Sequence, residues 1–327
     1  MSFKAFQVTK TDDGFERAIV EREESDLPEG DVLIDVQFSS LNYKDGLSAT
    51  GNPGVTRNFP HTPGIDTAGT VIEASSGFSA GDEVIVIGFD LGMNTSGGFG
   101  QKIRVPAGWV VAKPAGLSLH ESMLFGTAGF TAAECVDKLE LTGMTPSSGP
   151  VLVTGATGGV GSVAVKLLSH LGYEVAAVTG KPEQHDFLKS LGASEILSRE
   201  EANEGGNRPL LGERWGGVVD TVGGEMLFSA VKSLKYGCSL AACGLVGGAE
   251  IPATVFPFLL RHVNILGIDS VELPLAQKER IWNKLASDWK IDISELEEPL
   301  KLEGLSDAID RILAGQMVGR GVLHHED

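Results

Sequence analysis

The stretch from Val151 to Gly161, reading VLVTGATGGVG, constrains what this chain can fold into more than any other part of it. Val151 to Thr154 are apolar or β-branched in an unbroken run, as in a strand buried within a parallel sheet. Glycines follow at 155, 158, 159 and 161, and an apolar helical run extends from Val160 to Leu171, with Gly172 placed as its C-cap. Strand, tight glycine turn and helix is the order that lets backbone N–H groups reach a pyrophosphate at the positive end of a helix. Gly158 and Gly159 are the positions of closest approach, Val160 opens the helix, and Gly161 allows helix and strand to pack closely. The pattern departs from G-x-G-x-x-G at one point, where Ala156 replaces the first glycine. A turn that merely needed positive φ would also collect glycines; the residues downstream favour the nucleotide.

A second strand, Glu174 to Thr179, falls where a βαβ unit needs it. About 20 residues past the glycines, a site for NAD would place an acid to bind the ribose hydroxyls. Here the strand ends Thr179-Gly180-Lys181, and no acid follows until Glu183. A carboxylate would repel a 2′-phosphate, whereas Lys181 and the neighbouring hydroxyls attract it. The next strand, Glu195 to Leu197, ends at Ser198-Arg199 and brings a second cation to the same edge. These residues predict NADPH over NADH, the competing reading being two solvated surface cations.

Strands and helices alternate through the rest of this region. Trp215 to Thr221 is a strand, Glu225 to Leu234 a helix, Cys238 to Cys243 a strand and Val263 to Ile268 the sixth strand, with a helix at about 274 to 288. Such alternation specifies a doubly wound parallel sheet. Before it, residues 1 to 122 are rich in short strands (Phe3 to Val8, Asp31 to Ser40, Ala68 to Glu73, Glu83 to Ile87) punctuated by glycine, proline and asparagine. The period turns helical from Leu119 to Leu139. The tail, with a helix from Leu305 to Ala314 and a strand at Arg320 to His324, does not continue the alternation and is expected to rejoin the β domain. The expected fold is therefore α/β in two domains: 1–122 with 295–327, and a nucleotide-binding domain over 123–294.

With 44 acidic against 26 basic residues, the net charge of −18 argues against nucleic acid or an anionic membrane as partner. No apolar run reaches membrane-spanning length, and the opening MSFKAFQVTK lacks the apolar core of a signal peptide, so the cytoplasm is expected. The three cysteines, Cys135, Cys238 and Cys243, match no zinc spacing, and their odd number argues against a disulfide framework. All three are expected as buried, reduced thiols.

The strings SSLNYKD (39–45), FPHTPGIDTAGTV (59–71), GTAGFTA (126–132), TGATGGVG (154–161), VVDTVGG (218–224) and CGLVGG (243–248) together resemble the medium-chain dehydrogenase/reductase superfamily across the whole chain. LNYKD, PGID, TAGFTA and ACGL are most similar to its zinc-independent, quinone oxidoreductase-like branch, which includes the acryloyl-CoA reductases. The resemblance implies a GroES-like β domain interrupted by a Rossmann domain, with the site in the cleft between them. It also implies that Thr131 reaches the nicotinamide ribose. Leu245, with the backbone of Cys243 and Gly244, would line the nicotinamide site, and Ser270 would lie at the carboxyl edge of the sheet. Related enzymes commonly dimerise through this domain, so Phe256 to Leu260 (FPFLL) reads as core or as a dimer contact.

Zinc alcohol dehydrogenases of this superfamily carry a cysteine in the segment matching Asn42 to Asp45 and Gly-His-Glu where this chain has Gly64-Ile65-Asp66. Both ligands are missing here, as is the cysteine-rich lobe for structural zinc, so no metal is expected and His61 reads as a packed loop histidine. Without a Lewis acid, conjugate reduction of an activated double bond is the accessible chemistry. Hydride goes to the β-carbon, a hydrogen-bond donor stabilises the enolate, and an acid protonates the α-carbon. Tyr43, in the loop that faces the nicotinamide in this superfamily, is the first candidate for donor or proton source; stacking on the cofactor or packing is the alternative. Asn42 and Asp45 come second, against a loop-ordering role, and Arg320 resembles an arginine near the cleft in related enzymes, a surface arginine being the alternative. The expectation is reduction of acryloyl-CoA by NADPH in a homodimer. A quinone or enone reductase is the nearest rival, and a nucleotide-binding protein without catalysis the remote one.

Overall fold

The computed structural model describes residues 1–205 and 208–325. The chain divides into two compact units, one of residues 1–127, 270–287 and 293–327, the other of residues 128–269 and 288–292.

In the first unit, a seven-stranded sheet runs in the order Glu297–Leu300, Arg320–His324, Val32–Leu41, Asp66–Ala74, Glu83–Ile87, Val110–Ala112, with Lys102–Val105 also paired to Val32–Leu41. All its pairings are antiparallel except that of the two C-terminal strands. Val32, Ile34, Val71, Val84, Val86, Ile103 and Val105 fill the interior; β-branched side chains suit such a surface. The hairpin Ser2–Thr11 and Gly14–Glu23 stands apart as a two-stranded sheet. Its second strand was not expected, because FERAIVERE gives no clean alternation of apolar and polar positions.

The segment 270–287 was expected within the nucleotide-binding range but clusters with the first unit. Lys278, on the helix Leu275–Leu285, is fully buried there. Its ammonium donates to the carbonyls of Ile87 (2.7 Å) and Val271 (2.9 Å) and lies 3.7 Å from the centre of the Phe89 ring. A buried charge persists only with such partners, so this helix is tied where its lysine is satisfied.

The second unit is a six-stranded parallel sheet ordered Glu195–Leu197, Val175–Val178, Val151–Val153, Gly217–Asp220, Ser239–Ala242, Asn264–Gly267. The chain enters at the centre, winds to one edge, then returns to build the other half. Strand order therefore reverses between Val151–Val153 and Gly217–Asp220, the place where open α/β sheets bind ligands at their carboxyl ends. Leu152, Val218, Leu240, Phe228, Val231, Leu234 and Trp215 share one core cluster. Among the described residues, no helix is long and apolar enough to cross a membrane.

Candidate active site

The glycine turn of the second unit leads from Val151–Val153 into a helix over Gly159–His170. A Cβ at Gly161 would collide with the Gly155 carbonyl, so glycine there lets the helix press onto the turn. At Gly158 the nearest protein atom to such a Cβ is 3.4 Å away, an ordinary contact. Packing of the protein does not require glycine at 158; a ligand approaching the backbone would. Gly158, Gly159 and Val160 are half-buried, and the first N–H groups of the helix have no carbonyl four residues back to receive them. Beneath the turn, Thr154 donates to Asp220 (2.7 Å) and accepts from the Thr221 N–H (3.0 Å), while Thr221 Oγ1 donates to the Thr154 carbonyl (2.8 Å). These bonds fix the two strands on either side of the reversal.

The cationic edge is also assembled. The buried Thr179 hydroxyl accepts from the Lys181 N–H at 3.0 Å. Arg199, expected just past the strand Glu195–Leu197, is the first residue of a short helix, Arg199–Ala202, capped by Ser198. Its guanidinium lies over Gly180 so closely that a side chain at 180 would strike it. Burial pulls the Lys181 amine below its ordinary pKa, Glu183 opposes this, and the charge of Arg199 adds to it. Lys181 held beside the charge of Arg199 forms a place for an anion.

Of the remaining predicted cofactor residues, Thr131 is buried on the helix Leu119–Leu141 and Leu245 is exposed. The Cys243 thiol donates to the Asp220 carbonyl at 3.3 Å, and any side chain at Gly244 would run into Thr221. Ser270, buried, belongs to the first compact unit. Only Cys135 of the three free thiols is fully buried; Cys238 and Cys243 are half-buried, a correction to the sequence reading.

In the first unit, Tyr43 was expected in a loop. It is instead the first residue of a helix, α1, over Tyr43–Ala49. Asn42 is the N-cap, and the Asp45 carboxylate accepts from its N–H at 2.7 Å. The other Asp45 oxygen accepts from the N–H groups of Gly64 (3.1 Å) and Ile65 (2.9 Å). Asp45 is completely buried; burial and the nearby charge of Asp66 push its pKa up to about 7, against the three N–H bonds that favour the anion. Tyr43 stays 40% exposed. Of the four residues predicted for chemistry it alone presents its side chain to the surface.

Asp66, which sequence reasoning weighed only as a missing zinc ligand, is the centre of this site. Its carboxylate accepts from Ser40 Oγ, Asn42 Nδ2 (2.8 Å), the Thr127 N–H (2.8 Å) and Thr127 Oγ1. Arg320 Nη2 stands 4.0 Å from it. The buried Arg320 donates from Nε to the Leu124 carbonyl (3.1 Å) and from Nη1 to Asn42 Oδ1 (3.4 Å). Burial lowers its pKa, and Asp66 and Asp45 counter that. Thr127 can donate its N–H because the helix Leu119–Leu141 is broken at Gly126 (φ 50°, ψ −160°). Asn42, Asp45 and Arg320 thus position the start of α1. Asp66, Ser40 and Thr127 were missed as a group, although Asp66 and Thr127 lie within the strings PGID and GTAGFTA. His61 is buried, its Nε2 2.8 Å from the Gly92 carbonyl, and burial lowers its pKa.

Residues 28–115 match the family described as alcohol dehydrogenase GroES-like domain, and residues 159–286 that described as zinc-binding dehydrogenase. The chain belongs to the medium-chain dehydrogenase/reductase superfamily, in its quinone oxidoreductase-like branch. It is 49% identical to the acrylyl-CoA reductase AcuI of Ruegeria pomeroyi over 98% of both chains. It is 44% identical over 98% of both chains to YhfP of Bacillus subtilis, whose name assigns it to the quinone oxidoreductases. The structure of YhfP with NAD bound matches with a TM-score of 0.97 over 99% of this chain and all of that one. The YhdH oxidoreductase of Salmonella enterica in complex with NADP, 44% identical, matches with a TM-score of 0.95 over the full length of both chains.

Proposed function

We propose that this chain is an NADPH-dependent, zinc-free enoyl reductase that converts acryloyl-CoA to propanoyl-CoA. The observation that carries the reading is the 49% identity, spread over 98% of both chains, with a protein named acrylyl-CoA reductase. NADPH would be held by the backbone of Gly158, Gly159, Val160 and Gly161, by Thr179, Gly180, Lys181 and Arg199 at the 2′-phosphate, and by Thr131, Leu245 and Ser270 toward the nicotinamide. The room left at Gly158 and the paired cations at Lys181 and Arg199 fit that group. When bound, it supplies a hydride for the β-carbon. Tyr43 supplies a hydrogen bond where charge collects on the thioester oxygen, and it or water returns a proton to the α-carbon. Asn42, Asp45, Asp66 and Arg320 hold Tyr43 in place and do not touch substrate.

A catalytic zinc does not fit. The Asp66 carboxylate already takes four hydrogen bonds, counted as Ser40, Asn42 and two from Thr127, and His61 is committed to Gly92. The working form is a homodimer. The strand Asn264–Gly267 is an edge of the six-stranded sheet, and the helix Phe256–Arg261 beside it in sequence exposes Phe256, Leu259 and Leu260. An unpaired edge flanked by apolar side chains is a template for a second copy. The free thiols fit a reducing cytoplasm.

A quinone as substrate is favoured by one observation, the name carried by YhfP. Both readings are tested by following NADPH oxidation with acryloyl-CoA, crotonyl-CoA and a benzoquinone in parallel, with chelator present. Acryloyl-CoA is expected to lead in kcat/KM without loss to the chelator; a leading quinone would replace the substrate, and chelator inhibition would restore a metal. In the same assay, the double variant Lys181→Ala/Arg199→Ala should raise KM for NADPH by about tenfold or more while KM for NADH barely moves. Equal effects would remove these cations from the 2′-phosphate.

A further inference from the structure

Apart from the Asp66 network, three side chains of the first unit converge without a role in the reading above. His120 is the second residue of the helix Leu119–Leu141, Glu297 opens the strand Glu297–Leu300, and His324 closes the strand Arg320–His324. Nε2 of His120 is 2.9 Å and Nε2 of His324 2.8 Å from the same Glu297 oxygen. One ligand atom from each residue lies within 4.8 Å of the other two. Phe38, paired with His324 across the sheet, packs on both imidazoles, with ring centres 5.2 Å from His120 and 5.1 Å from His324. The rings are therefore held from behind while their Nε2 atoms point inward. The group is half-buried, with side-chain exposures of 32%, 16% and 38% for His120, Glu297 and His324. Burial raises the Glu297 pKa, but its bonds to the two imidazoles outweigh this, and the carboxylate is held in its anionic form.

We propose that His120, Glu297 and His324 form a binding site for a borderline divalent cation of the zinc class, separate from the Asp66 network and from the nucleotide turn. Two imidazoles and a carboxylate suit zinc, cobalt, nickel or copper and not calcium or magnesium, which take oxygen ligands. Tetrahedral zinc, with bonds of about 2.0–2.2 Å, sets its ligand atoms roughly 3.3 Å apart. The two Glu–His separations need widen by only a few tenths of an ångström to admit it. On binding, the cation would replace the two Nε2 contacts that now meet on one oxygen, each neutral imidazole then carrying its proton on Nδ1. Partial exposure leaves water to complete the coordination. A bound cation would join the first turn of a helix to two paired strands of the sheet. Neighbouring His325 is excluded as a ligand, since its ring is buried and its Nε2 is held 2.9 Å from the Gly98 carbonyl.

The test uses the full chain without an affinity tag, stripped with chelator and titrated with Zn²⁺ against a chromophoric chelator. One equivalent should bind to the wild-type chain. Affinity should fall about tenfold or more in His120→Ala, in His324→Ala and in Glu297→Gln, and should be unchanged in His170→Ala. Zn²⁺ should raise the melting temperature of the wild type but not of His324→Ala. Should a variant fold poorly, the Co²⁺ spectrum of the wild type decides: d–d bands without a thiolate charge-transfer band, abolished by Zn²⁺, support the site. A thiolate band would move the metal to a cysteine and overturn the proposal. So would the absence of stoichiometric binding, or three variants that bind as the wild type does; the three residues would then be an ion-paired cluster alone.

Discussion

Tyr43 and its neighbours divide one short segment between chemistry and support. Asn42 and Asp45 turn inward, where the Asp45 carboxylate takes three backbone N–H groups, while Tyr43 between them remains 40% exposed. The side chains that hold the segment are thus distinct from the one available to a substrate. Tyr43→Phe keeps the ring and removes only the hydroxyl. It should lower kcat for acryloyl-CoA by about a hundredfold or more, the loss found when one oxyanion donor is deleted, while KM for NADPH holds. Steady-state kinetics with a separate cofactor titration measure both. An unchanged kcat would assign the ring to stacking or packing and pass the proton to water.

At the scale of elements, the glycine turn makes two glycines that look equivalent behave in opposite ways. A methyl at Gly161 meets the Gly155 carbonyl, whereas at Gly158 the nearest protein atom is 3.4 Å away. Gly161→Ala should therefore lose stability, by about 1–3 kcal/mol as overpacked sites do. Gly158→Ala should melt like the wild type and bind NADPH far more weakly. Thermal melts paired with cofactor titration separate the two, and loss of neither property in Gly158→Ala would move the pyrophosphate elsewhere. This turn was legible in the sequence because its rules are local: a strand, small residues and a helix within one short stretch. The strands Glu83–Ile87, Glu195–Leu197 and Arg320–His324 were legible for the same reason and carry the bounds read from their residues. Helix α1 was not. YKDGLSA is short and contains a glycine, and what stabilises it is the Asp45 cap and the packing of Gly46 against Leu313 on the helix Leu305–Leu313. The Asp66 network was hidden in the same way, since Ser40, Asp66, Thr127 and Arg320 come from four separated stretches and no periodicity joins them.

For the molecule as a whole, the net charge of −18 and the exposed apolar helix Phe256–Arg261 act against each other. Two like-charged copies repel until salt screens them, while Phe256, Leu259 and Leu260 favour contact. Sedimentation velocity should show a dimer whose dissociation constant falls as salt is raised. Leu259→Glu/Leu260→Glu should sediment as a monomer that still unfolds cooperatively, because both side chains are exposed within a single chain; a double variant that stayed dimeric would place the interface elsewhere. The break at Gly126 bears on how such a chain can vary over generations. Glycine within a 23-residue helix is ordinarily the position that drift improves first, since alanine there strengthens a helix. At 126 the added methyl would run into Ser40, Arg320 and Asp66 together. The position that helix propensity alone would leave most open to replacement is closed by three residues distant in sequence.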